Sequence, residues 1–241
     1  MKAIAIVQAR LGSTRLPGKG LADVCGQPAL WHLFAQLAYA RKLDRSVLAT
    51  TNRPTDDPLA RYGTDQGWTV YRGDEHDVLD RYYRAAQAAG CEPGDLIVRV
   101  GGDDILVDPA MVDRAIELYL AGAPRVQYVC SNRVPRNPYG GDVEAFSFGA
   151  LEQAWREATL PEEREHVSPF IRNQPERFPD AEFHGEEDNS RFRLSIDYAE
   201  DLAFNRELIG WLMREGPRPF HMQQVVDCIR KHHLQHPRLT T

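Results

Sequence analysis

An alternation along the first half of the chain limits the fold more than any other feature. Short apolar runs at 3–7 (AIAIV), 46–51 (SVLATT), 68–71 and 96–100 (LIVRV) are separated by helix-like segments at 30–37, 58–66, 77–89 and 109–121. The helical signal is plainest at 77–89, where Val78, Leu79, Tyr82, Tyr83 and Ala86 share one face and charges lie between them. Near-continuous apolar strands joined through helices are strands buried on both sides and running parallel. The pattern predicts right-handed crossovers and a mostly parallel, doubly wound α/β sheet. In such a sheet, ligands sit beyond the carboxyl ends of the strands.

Beyond residue 120 the rhythm changes. Strands are predicted at 126–130, 144–148 and 193–196, and helices from 200 to about 214 and at 222–233. Residues 132–141, rich in Pro, Asn, Arg and Gly, read as a surface loop or lid. The highly charged stretch 161–188 reads as part of an insertion carrying substrate contacts, a dimer interface or both. The whole, 1–241, is expected to be one domain with an insertion at roughly 125–190.

Net charge of −6 argues against broad attraction to nucleic acid. The N-terminal apolar run breaks at Gln8 and Arg10, too early for a signal peptide, and no segment is apolar enough to span a membrane, so a cytoplasmic protein is expected. Four scattered cysteines form no CxxC pair and suggest neither a zinc site nor a disulfide framework. His232 and His233 are set aside as metal ligands, because adjacent residues do not share a helix face and no third ligand is evident nearby. Trp155 and Trp211 read as core residues of amphipathic helices.

The segment Ala9-Arg10-Leu11-Gly12-Ser13-Thr14-Arg15-Leu16-Pro17-Gly18-Lys19 places three cations and two glycines in the first strand-to-helix turn. A triphosphate needs that combination: glycines admit the backbone to the phosphates, N–H groups donate to oxygens, and Arg and Lys neutralise charge. The spacing is neither GxxxxGK[ST] nor GxGxxG. A solvated basic loop with turn glycines is the alternative, and charge clustering alone does not separate the two.

Two carboxylates lie where such a sheet opens onto its crevice. Asp103 follows LIVRV and two glycines, and Asp197 follows FRLSI. Taken alone, each is more often a turn former or helix N-cap. Asp77 and Arg81, one helical turn apart, could hold ribose or acceptor hydroxyls, or could be an exposed ion pair.

Residues 7–21, VQARLGSTRLPGKGL, resemble the N-terminal signature of the cytidylyltransferases that activate acidic sugars, the CMP-3-deoxy-manno-octulosonate and CMP-neuraminate synthetases. They resemble the spore coat polysaccharide biosynthesis protein F group still more closely. The likeness continues through ATTNRPTDDPL (49–59), YRGDEHDVLDRYYRAA (71–86), IVRVGGDDILVDP (97–109), GDVEAFSFGALEQAW (141–155), EREHVSPFIRNQPERF (163–178) and LSIDYAEDLAFNREL (194–208).

The resemblance implies a nucleotide-diphospho-sugar transferase-like α/β fold, CTP as donor, Mg²⁺ as cofactor and a homodimer. It assigns Ala9, Arg10, Leu11, Gly12, Ser13, Thr14, Arg15, Lys19 and Gly102 to the nucleotide, and gives Arg10, Lys19 and Asp103 catalytic roles. It makes Asp103 and Asp197 the metal ligands and turns Asp77 and Arg81 toward the substrate. Glu144, His166 and Arg172 are candidate contacts to a small acidic acceptor: a sugar acid, sugar phosphate or phosphonate. For His166, a partly buried polar residue at a helix start is an equal reading. The chain departs from the family's Gly-Asp-Cys/Ser-Pro at Asp104-Ile105, which leaves Asp104 open as an acceptor contact or a second metal ligand. A glycosyltransferase consuming a nucleotide sugar and a non-catalytic nucleotide-binding subunit are the rival functions.

Overall fold

The computed structural model describes residues 1–238; the last three residues of the expected domain lie outside the described residues. In chain order the elements are β1 (Ala3–Gln8), β2 (Asp23–Val24), β3 (Gln27–Pro28), α1 (Ala29–Leu37), β4 (Arg45–Thr51), α2 (Asp57–Asp65), β5 (Thr69–Gly73), α3 (Val78–Ala88), β6 (Leu96–Gly101) and α4 (Pro109–Gly122). There follow β7 (Tyr128–Cys130), β8 (Glu144–Ser147), α5 (Phe148–Glu157), α6 (Pro161–His166), α7 (Pro169–Arg172), β9 (Asp180–Glu182), α8 (Ala199–Glu215) and α9 (Met222–Lys231).

Seven strands form one sheet in the order β5-β4-β1-β6-β8-β7-β9, with β2 and β3 as a separate small hairpin. Only β8 runs against its neighbours; β4, β1 and β6 are parallel in a register that pairs Val7 with Leu48 on one side and Val100 on the other. The chain leaves β1 toward β4 and β5, then returns to place β6 on the other flank of β1. That reversal is the topological switch point, where the crevice of a doubly wound sheet opens.

Strand periodicity feeds two cores. Ala3, Ala5 and Val7 of β1 face the cluster with Leu30, Leu33 and Leu37 of α1 and Ile116 of α4. Ile4 and Ile6 face the cluster with Leu79 and Tyr82 of α3 and Leu151 of α5. Covering both faces with helices explains why the strands read as unbroken apolar runs. Each fully buried Leu or Ile contributes about 1.5–3 kcal/mol by leaving water.

Within 125–190, β7, β8 and β9 extend the central sheet. No regular strand forms at 193–196: Arg193 makes a single isolated bridge to Tyr139, and Leu194, Ser195 and Ile196 are all buried. The segment is extended, but its amides serve irregular loops. Leu194 N–H donates to Tyr139 O at 2.8 Å and Ile196 N–H to Asp103 O at 3.0 Å. Among the described residues no helix is long and apolar enough to cross a membrane.

Candidate active site

The loop that follows β1 is tied at both ends. Ala9 N–H donates to Ala49 O at 3.3 Å, Leu11 N–H to the buried Asp56 carboxylate at 2.7 Å, and Gly18 N–H back to Leu11 O at 2.9 Å. Gly18 has φ of 76°, the left-handed region that a glycine enters without strain. Within this frame the N–H groups of Gly12, Ser13 and Thr14 have no intramolecular acceptor among the described residues. Donors left free in this way next to cations suit an anion.

Lys19 is the hub. Its ammonium donates to Asp103 Oδ2 at 2.8 Å, to Ile196 O at 2.7 Å and to Asp197 Oδ1 at 3.2 Å. Asp103 and Asp197, far apart in the sequence, therefore meet at one point. Gly102 explains the approach of β6 to the loop: a Cβ there would lie 2.4 Å from Gln8 O and 2.8 Å from Ala9 Cβ, so only glycine lets the strand ends come together. Asp197 also accepts from Arg15 Nη2 at 2.7 Å and Arg193 Nη2 at 2.8 Å. Arg10 leans on Glu75 at 3.3 Å, which Arg53 contacts from the other side at 2.8 Å.

These contacts fix the charge states. Burial disfavours the Lys19 ammonium, but Asp103 and Asp197 outweigh it and hold its pKa above the ordinary value. Burial likewise opposes ionisation of Asp197, and Lys19, Arg193 and Arg15 reverse that, keeping the carboxyl below its usual range. Asp104 goes the other way: burial first, then the neighbouring Asp103 charge, raises it well above the carboxylate range despite a hydrogen bond with Ser195.

The loop and the end of β6 line a cavity of about 490 Å³, a size that suits a small ligand. Ala9, Arg10, Ser13, Thr14, Arg15, Lys19, Gly102, Asp103 and Asp104 are among its lining residues. Arg99, Asn132, Tyr139, Asp142, Glu144, Glu165 and His166 line it as well, together with Gln8 and Arg81. Glu144 is buried in a complete network, taking Arg99 Nη1 at 2.7 Å, Ser168 Oγ at 2.9 Å and the Tyr128 hydroxyl. Burial pushes its pKa up, but Arg99 and the two hydroxyls outweigh that and leave it low. Gln8 Oε1, Arg81 Nε and Arg99 Nε, of residues that line this cavity, are buried with no partner among the described residues. Such orphans are costly unless a polar ligand meets them.

Several expected residues lie elsewhere. Leu11, Gly12 and Arg172 do not line the cavity, and Leu11 spends its N–H on Asp56. Asp77 and Arg81 do not pair. Asp77 is the N-cap of α3, outside the helix, and accepts Asp80 N–H at 2.9 Å, while its carboxylate grips Arg164 through Nε at 3.1 Å and through Nη2. Arg81 turns inward to the carbonyls of Asp74 and Glu75. Asp77 belongs to a neighbouring depression that also includes Arg10, Glu75 and Arg164. Asp197 is not on the cavity surface but sits just behind Lys19 and Arg15, its side chain 2% exposed.

Sequence reasoning missed the support of Asp197. Arg193 bridges Asp197 and Asp201, and Asp201 Oδ2 caps Asp197 N–H at 2.7 Å and Tyr198 N–H at 2.8 Å. The signal was present, because an acid at the third position of a helix, accepting the N–H of the residue that precedes the helix, is a capping pattern. It also missed Arg99, whose signal is a lone cation inside the apolar run LIVRV.

The two carboxylates already share a compact cation, the Lys19 ammonium, so their oxygen donor set fits a hard divalent ion.

The sequence model of a family described as cytidylyltransferase matches residues 4–226. An uncharacterized protein of Methanocaldococcus jannaschii is 36% identical over 86% of this chain and 83% of its own length. The spore coat polysaccharide biosynthesis protein SpsF of Bacillus subtilis is 33% identical over 89% of this chain and 88% of its own. A solved structure of a cytidylyltransferase from Leptospira borgpetersenii superposes with a TM-score of 0.92 at 29% identity, covering 100% of this chain and 99% of that one.

Proposed function

Because the chain belongs to the cytidylyltransferase family, we propose that it transfers CMP from CTP to an oxygen of a small acidic acceptor and releases pyrophosphate. The acceptor class is a sugar acid, a sugar phosphate or a phosphonate. The observation that carries this reading is the meeting of Lys19, Asp103 and Asp197 at one point beside the loop's free N–H groups.

Attack on the α-phosphorus with in-line loss of pyrophosphate is catalysed chiefly by positioning and charge neutralisation. Arg10, Arg15 and Lys19 neutralise the phosphate tail, and the N–H groups of Ser13 and Thr14 orient its oxygens. Gly102 lets the end of β6 pack against the start of the loop, which brings Asp103 beside it. Asp103 and Asp197 would hold Mg²⁺, which when bound supplies charge neutralisation on phosphate oxygens. Nucleotide phosphates draw Lys19 off the two acids, so the residue that balances charge in the empty site balances it on the substrate in the filled one.

The acceptor would bind among the remaining polar residues of the cavity, Arg99, Tyr139, Glu165 and His166, which supply charge and hydrogen-bonding groups for it. Glu144 acts there by holding Arg99, since its oxygens are already engaged. An ionised phosphate or phosphonate needs no general base; a sugar hydroxyl needs one or direct metal activation.

The test is pyrophosphate release with Mg²⁺ and each of the four nucleoside triphosphates against a panel of sugar acids, sugar phosphates and phosphonates. CTP should support release with at least one acceptor, and Asp103→Ala should abolish it. Product formed from a nucleotide sugar without pyrophosphate would replace this reading with a glycosyltransferase. Nucleotide binding without turnover on any acceptor would favour a non-catalytic subunit.

A further inference from the structure

At the far end of α8 from Asp197, three residues with quite different donor atoms meet. Glu215 closes α8, and Cys228 and His232 stand one turn apart on α9. Their ligand atoms, a carboxylate oxygen, a thiol sulfur and an imidazole nitrogen, all lie within 4.8 Å of one another. We propose that this trio is a binding site for zinc, separate from the nucleotide site and closing the contact between α8 and α9.

Four observations support it. The donor set of sulfur, nitrogen and oxygen suits zinc and not magnesium, and three protein ligands with a fourth position left to water make a familiar zinc arrangement. The His232 ring is already oriented: it stacks on Trp211, one turn before Glu215, at 3.9 Å between centroids and 15° between planes. Two helices thus present paired residues at i and i+4, Trp211 with Glu215 and Cys228 with His232, so the packing that forms the helix pair also aims the donors. The spot attracts cations, since Lys231 Nζ already sits 2.7 Å from Glu215 Oε1, with His232 Nε2 at 2.8 Å from the same oxygen.

The empty site keeps its thiol protonated. Burial, then the Glu215 charge, pushes Cys228 up to about 11, so metal must displace a proton to reach the sulfur. Zinc bonds of about 2.0–2.3 Å require the donors to draw closer than they now stand. Glu215 can move for this, because it is exposed at a helix end, whereas Cys228 is 1% exposed and fixed. The sequence offered only the His232–His233 pair; the further ligands come from the same helix face and from α8 across the packing, which no local spacing reveals. About fourteen residues of helix, roughly 20 Å, separate Glu215 from Asp201 at the start of α8, so the zinc does not belong to the nucleotide machinery.

The test uses the full chain, stripped of metal and titrated with Co²⁺ as an optical stand-in for zinc, then with Zn²⁺ in competition. One equivalent should give the intense visible bands of tetrahedral cobalt and a thiolate charge-transfer band, both removed by Zn²⁺. Cys228→Ala should lose the charge-transfer band. Glu215→Gln and His232→Ala should weaken binding by about tenfold or more. Lys231→Ala, which removes a competing cation, should tighten it. Circular dichroism checks that each variant is folded, and Glu215→Gln and Lys231→Ala change only exposed side chains. Pale octahedral cobalt, or binding that is the same in wild type, Cys228→Ala and His232→Ala, would overturn the proposal.

Discussion

Lys19→Met separates the two jobs assigned to the ammonium. In the nucleotide-free protein Lys19 occupies the place where Asp103 and Asp197 would share a divalent ion, at 2.8 Å from one and 3.2 Å from the other. Metal can enter only by displacing it. Charge-assisted contacts of this kind contribute about 1.5–3 kcal/mol each before screening. The Lys19 side chain is 16% exposed and that of Asp103 30%, so water recovers part of both when the ammonium swings out. A net competition of about 1.5–3 kcal/mol remains, and removing it should tighten Mn²⁺ binding by about 10–100-fold. Isothermal titration without nucleotide, well below the variant's melting midpoint, measures this directly. The same substitution removes positive charge from the phosphates and should cut transfer by about 10²–10³-fold. Tighter metal binding together with slower chemistry is the expected pair of results. Unchanged or weaker Mn²⁺ binding would refute the reasoning, because the ammonium would then not be standing in the cation's place.

Three further outcomes are expected. Gly102→Ala drives a Cβ to 2.4 Å from Gln8 O, so urea unfolding should show a loss of about 1–3 kcal/mol together with weakened CTP binding; a variant as stable as wild type would contradict the close approach. Asp201→Asn removes the negative charge from a fully buried group that anchors Arg193 and caps two N–H groups, and should cost about 2–4 kcal/mol with weaker Mg²⁺ affinity; a loss confined to stability would show that Asp201 does not position Asp197. Burial, and to a lesser degree the Arg218 charge, depresses buried His32 to about 4 from an ordinary 6.5, while Nε2 faces Val24 O at 2.8 Å. The unfolded chain therefore takes up the proton first as pH falls below 6.5, and stability should decline toward pH 4 with a slope approaching about 1.4 kcal/mol per unit. His32→Gln should flatten that window, and an unchanged slope would assign the decline to other groups.

The strands of the parallel half were legible because burial on both faces leaves near-continuous apolar runs, and the loop after β1 was legible because its charge clustering lies within a few residues. What failed to show depended on partners far along the chain. Asp77 and Arg81 have the spacing of a helix pair, yet Arg164, eighty-seven residues beyond Asp77, claims the carboxylate. Helix α5 follows β8 with no turn between them, and Ser147 both ends the strand and caps the helix by accepting Ala150 N–H. Residues 193–196 carry a strand's alternation, but their amides bond Tyr139 and Asp103, and no local pattern distinguishes that from a ladder. Asp103 and Asp197 were each visible as an acid after an apolar run; that one lysine joins them is a property of the switch point.

Crystals grown with CTP and Mn²⁺ and measured on both sides of the manganese absorption edge would locate the ion without relying on activity. A single anomalous peak in contact with both the Asp103 and Asp197 carboxylates, beside phosphates gripped by Arg10, Arg15 and Lys19, is the predicted result. A peak that touches neither acid, or a triphosphate lying away from the 9–19 loop, would contradict it.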